Sequence, residues 1–135
     1  MRFKVGNRED DFGMTEHEEQ KALIKWWSTA CNGFGIPEVC LFAIPNAARR
    51  SMKIASMLKA EGMRSGIPDL ILAVPRGEKH GLFIEMKKTK GGRVSDNQKI
   101  MLSAFSEQGY ETQVCKGFEA AKSVIENYLK GEKTC

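Results

Sequence analysis

Two short segments carry the residues best suited to chemistry: G-I-P-D-L-I-L at 66–72 and F-I-E-M-K-K at 83–88. They set Asp69, Glu85 and Lys87 inside strongly apolar, strand-like runs, where an unpaired charge is costly. Side chains alternate faces along a strand, so Glu85 and Lys87 share one face, roughly 7 Å apart, with Leu82, Ile84 and Met86 on the other. The P-R-G-E-K-H stretch between the runs predicts a hairpin. With that turn centred near Gly77, Asp69 lies opposite Glu85 at about 4.5–5.5 Å and on the same face. A slip of one residue would send Asp69 to the other face. Two carboxylates so close repel unless a cation lies between them, and oxygen-only donors favour Mg²⁺ or Mn²⁺. Asp69 and Glu85 are therefore expected as metal ligands, with the Met86 carbonyl as a third. A bound ion makes water a better nucleophile, and Lys87 would position that water or offset charge on a phosphate. The expected chemistry is phosphodiester hydrolysis. The same residue types also fit an Asp at a strand entry and a Glu–Lys pair on a solvated face.

These groups need elements to hold them. Thr15 and Glu18 form T-x-x-E, a capping box, predicting a helix from Glu16 to about Cys31 with Leu23, Trp26, Trp27 and Ala30 on its buried stripe. Glu16, Glu19 and Gln20 border that stripe. Glu16 or Glu19 would add a carboxylate to the site, or would simply favour the positive helix N-terminus. Ser95 and Gln98 give S-x-x-Q, opening a helix to about Gln108 with Met101, Leu102 and Phe105 inward. Gln98 then faces the site, serves the cap, or does both. Strands are predicted at 39–44, 69–74, 81–87 and 110–116. A helix fits 48–61 with Ser51, Ile54, Ala55 and Leu58 inward, and a last helix spans Phe118 to Leu129. The fold class is α/β, a mixed sheet of about four strands flanked by helices. Residues 1–14 read as a loose arm, 15–131 as one domain and 132–135 as a tail.

The composition agrees with a single domain: 135 residues, 41% apolar, 28% charged, formal net charge +4. That charge permits a nucleic-acid partner without demanding one. No apolar run approaches the roughly 20 residues of a spanning helix, and the N-terminus lacks the apolar core of a secretory signal. Cys31, Cys40, Cys115 and Cys135 lack zinc-site spacing and suit a reducing cytoplasm. Asn46, Arg49, Arg50, Lys53 and Arg64 precede the acidic centre; Lys88, Lys90 and Arg93 follow it. Placed around an acidic pocket they would bind DNA phosphates, and Gly91 and Gly92 would admit the backbone close to a strand. Each basic run also reads as an ordinary solvated face. No base-reading module is present, so contacts are expected to backbone and shape.

In G-I-P-D-L-I-L, F-I-E-M-K-K and Gln98 the chain resembles the PD-(D/E)xK nucleases. More closely it resembles the stand-alone VRR-NUC nucleases of phages and bacteria. The likeness runs from T-E-H-E-E-Q at 15–20, through F-A-I-P-N-A at 42–47 and the hairpin, to G-Y-E-T-Q-V-C-K-G at 109–117. Ile-Pro-Asp stands where many members carry Val-Pro-Asp. The resemblance implies a restriction-endonuclease-like fold and Mg²⁺- or Mn²⁺-dependent cleavage of DNA, branched or duplex. It implies metal binding at Asp69 and Glu85, catalysis by Lys87, support from Gln98, and Glu16 as the first-helix acid, with Glu19 close enough to leave this open. It also implies a homodimer acting on Holliday junctions or flaps, away from any membrane. The competing expectation is a non-catalytic or complex-dependent nucleic-acid-binding module on the same fold.

Overall fold

The computed structural model describes residues 14–46 and 51–131. The arm up to residue 13, Arg49 and Arg50, the start of the second predicted helix and the 132–135 tail lie outside the described residues. Helix α1 spans Glu16–Phe34 and opens on the predicted box: the Glu18 amide donates to Thr15 Oγ1 at 3.1 Å, and the Thr15 amide to Glu18 Oε1 at 2.9 Å. It runs past the expected stop at Asn32 because Gly35, at φ 71, is the residue that takes the left-handed cap.

A 3-10 turn at Glu38–Cys40 leads into strand β1, Leu41–Ala43, shorter than the predicted 39–44. Helix α2 covers Met52–Ala60. Ser51 does not point inward; its hydroxyl accepts from the Ile54 amide and caps this helix. Ile54, expected inward, is 46% exposed. A periodic pattern states which residues share a face, not whether another element covers it.

Strands β2 (Leu70–Leu72) and β3 (Leu82–Lys87) pair antiparallel, and β4 (Glu111–Lys116) runs parallel to β3. Among the described residues the sheet order is β1-β2-β3-β4, so β3 is central and all six of its residues are buried. Leu70 pairs with Ile84 and Leu72 with Leu82, a register centred on Gly77. The tip is closed by Arg76 and Lys79, which exchange amide–carbonyl bonds of 3.1 and 2.8 Å. Three residues separate Leu72 from Arg76 and two separate Lys79 from Leu82, so one arm carries a bulge-like extra residue.

Helices α3 (Asp96–Glu107) and α4 (Phe118–Leu129) complete the domain. Leu70, Leu72, Leu82, Ile84 and Met86 form one core with Leu23, Trp27 and Cys31 of α1 and Ala121, Ile125 and Leu129 of α4. On the opposite face Phe83 stacks on Phe105 of α3, ring centroids 4.5 Å apart. Alternation then carries Glu85 and Lys87 onto the α3 side. No helix among the described residues is long and apolar enough to cross a membrane.

Candidate active site

On the α3 side, Glu16, Gln20, Asn46, Asp69, Glu85, Lys87, Lys88 and Gln98 line a single cleft of about 770 Å³. The hairpin supplies the floor. Asp69 lies one residue before β2, where the register places it across from Glu85. Its Oδ2 accepts from the Met86 amide at 2.7 Å, which fixes the carboxylate against β3. Along a strand a residue's N–H and C=O point to the same edge, so the Met86 carbonyl faces the Asp69 side too.

The loop before Asp69 is pinned to the start of α3. A Cβ on Gly66 would lie 2.8 Å from backbone and side-chain carbons of Asn97, so no larger residue fits there without movement. Asn97 Nδ2 donates to Ser65 Oγ at 3.3 Å.

Gln98 ties the groups together. Its Oε1 accepts from the Ser95 amide at 2.8 Å, closing the capping box, and from Lys87 Nζ at 3.0 Å. Its Nε2 donates to Glu85 Oε2 at 2.8 Å. The cap dictates the amide's orientation, because only the carbonyl end can accept from Ser95. Cap and site group are one arrangement. Lys87 Nζ also stands 3.4 Å from Glu85 Oε2, with the two side chains 10% and 3% exposed.

Glu85 Oε1 is buried with no hydrogen-bond partner. Asp69, the neighbouring acid, has no proton to give it when both are ionised. Burial, and then the Asp69 charge, push the Glu85 carboxyl up from 4.5 to about 7, against the opposing pull of Lys87. Burial also raises Asp69; the Met86 amide opposes this and the Glu16 charge adds to it. Two close oxygen donors, one an orphaned buried acceptor, fit a hard divalent cation. Among the described residues no group of three or more His, Cys, Asp or Glu is gathered to hold an ion. The donor set on hand is thus two carboxylates plus backbone, which suits an ion that keeps several of its waters.

The two acids of α1 part company. Glu16 lines the cleft. Glu19, 7% exposed, turns away: its Oε1 accepts from the Phe118 amide at 2.7 Å and caps α4, whose own N-cap residue, Gly117, has no side chain to offer. Of the basic candidates, Lys88 lines the cleft beside Asn46, whereas Lys53, Arg64, Lys90 and Arg93 are exposed outside its wall. His17 and Ile44 also line the cleft. No spacing singled either out; His17 merely neighbours Glu16.

The profile of the VRR-NUC domain matches residues 14–119. A solved structure titled "VRR_NUC domain protein" is 30% identical, with a TM-score of 0.76 over 90% of this chain and 93% of that one. No curated protein matches.

Proposed function

The chain belongs to the VRR-NUC domain family, and from that premise we propose that it is a Mg²⁺- or Mn²⁺-dependent endonuclease hydrolysing DNA phosphodiesters in branched substrates such as Holliday junctions or flaps. The observation that carries this reading is the buried, partnerless Glu85 Oε1 beside Asp69 in a cleft that also holds a lysine. Asp69, Glu85 and the Met86 carbonyl would hold the ion, with Glu16 reaching it through water. When bound, the ion supplies Lewis-acid polarisation of the phosphate and of water.

The chain's own residues do the rest. Gln98 holds Lys87 and Glu85 from one amide. Lys87, fixed by that bond, presents its ammonium where negative charge grows on the phosphate in the transition state. Lys88 and Asn46 bind flanking phosphates at the cleft wall, and the exposed cations beyond it extend the track. A homodimer is part of the proposal. It is supported by large apolar side chains left exposed on β1 and α2: Phe42 at 48%, Ile54 at 46% and Met57 at 53%. Two symmetric active sites suit a two-fold symmetric junction.

The test is a panel of single-stranded, duplex, flap and four-way DNA, with RNA counterparts, incubated with Mn²⁺ and with chelator. Cleavage of branched DNA is expected, abolished by chelator and by Asp69→Ala, Glu85→Ala or Lys87→Ala. Cutting that survives Asp69→Ala refutes the site. Salt-sensitive junction binding with no cleavage under any divalent ion favours the non-catalytic module instead. Light scattering that gives only the monomer mass, with and without junction DNA, refutes the dimer.

A further inference from the structure

Lys87 ends β3, and the chain turns directly after it through Gly91 and Gly92. The two glycines are there for different reasons. Gly91 has φ 79 and open space where a side chain would go. Gly92 is not among the positive-φ glycines. Yet a Cβ on it would lie 2.8 Å from Lys87 Cβ, 3.1 Å from the Lys88 amide nitrogen and 3.2 Å from the Lys88 carbonyl oxygen. The requirement at 92 is one of space, and the space is taken by the stem of the site lysine.

Lys87 Cβ is a single bond from the backbone and cannot swing aside like the end of a long side chain. That backbone is held: Lys87 pairs with Lys116 in the parallel ladder, and its carbonyl accepts from the Gly117 amide at 3.1 Å. Its amine ends 3.0 Å from Gln98 Oε1. A methyl group at 92 would tilt the lysine stem and carry the amine off that partner. We infer that Gly92 is a positioning residue for Lys87, its bare α-carbon forming the wall against which the stem is set. The catalytic consequence rests on the role proposed for Lys87; the geometric one does not.

The test compares wild type with Gly92→Ala, Gly92→Val and Gly91→Asn, the last chosen because asparagine tolerates the left-handed backbone at 91. Trace acetylation read by mass spectrometry reports how reactive Lys87 is relative to Lys88. That ratio rises several-fold in Gly92→Ala, rises further in Gly92→Val, and stays at the wild-type value in Gly91→Asn. In cleavage assays Gly92→Ala lowers kcat about 10- to 100-fold, while KM for DNA and Mn²⁺ affinity by calorimetry are unchanged. Wild-type labelling in Gly92→Ala overturns the inference. So does an equal rise in Gly91→Asn, which marks a turn loosened as a whole. If Gly92→Val does not fold, the alanine variant decides. If the wild type neither binds Mn²⁺ nor cuts, the nuclease reading fails and the labelling still decides whether Gly92 sets Lys87.

Discussion

Replacing Glu85 by Gln isolates the electrostatic strain in the floor of the cleft. The carboxyl is pushed from 4.5 up to about 7, first by burial and then by the Asp69 charge. A raised acid binds more protons folded than unfolded between those two values, so without metal the protein loses stability as pH climbs through that window. Below about pH 4.5 a protonated Glu85 and a glutamine are near equivalents, and the two proteins should melt together. Above pH 7 the wild type carries the full penalty, at most about 3 kcal/mol. Even a buried site responds with an effective dielectric well above that of a dry interior, so about 1–2 kcal/mol is expected. In thermal melts with chelator, Glu85→Gln should therefore melt about 5 °C above wild type at pH 8, with the gap closing between pH 7 and 4.5. Mn²⁺ at 100 times its Kd should restore about 2.7 kcal/mol to the wild type and nothing to the variant. A gap that ignores pH, or equal stabilisation of both proteins by Mn²⁺, refutes the assignment of Glu85 as a strained metal ligand.

The acids of α1 should separate by function. Glu19→Ala removes the cap of α4 and should cost about 1–2 kcal/mol in urea denaturation while Mn²⁺ affinity is kept; Glu16→Ala should keep its urea midpoint and lose cleavage, and wild-type cutting by Glu16→Ala contradicts this. Arg76 is 7% exposed and donates to the Leu129 carbonyl at the end of α4 and, at 2.8 Å, to that of Pro75. Arg76→Met should lower the unfolding free energy by about 1–3 kcal/mol, read as a lower urea midpoint at constant m-value. Burial pushes the Cys115 thiol up to about 12. It should resist iodoacetamide at pH 8 in the native protein and react in urea, and alkylation at the rate of half-buried Cys40 refutes the packing of β4.

How much was legible follows from the kind of signal each residue carries. The hairpin register could be read because alternation and a glycine-bearing turn are local, and Asp69 fell opposite Glu85 as the arithmetic required. Gln98 was legible as a cap for the same reason, and its reach to both Glu85 and Lys87 comes with the cap. Glu19 was not. Its partner is an amide 99 residues away, so no window of sequence contains the pair. Arg76 reads as an ordinary turn residue, because apart from that of adjacent Pro75 the carbonyl it satisfies, Leu129, lies 53 residues away in the chain. On α2 the spacing picked out Ala55 and Leu58, which are half-buried, but grouped Ser51 and Ile54 with them, and apolar spacing alone holds no information about which neighbours cover a face. The mixed four-strand sheet was readable from element order, and the strand pairing of the structure bears it out.

The uneven arms of the hairpin carry a further consequence. Residues 73–81 lie outside the cleft; Val74 joins the core and Arg76 braces the end of α4, so these positions serve packing rather than chemistry. Their number is another matter. One residue inserted or deleted there, if not taken up by a further bulge, would reverse the parity of β2 against β3 and rotate the Asp69 carboxylate to the far side of the sheet. The hairpin thus acts as a gauge: its length sets which residues of the two strands face each other.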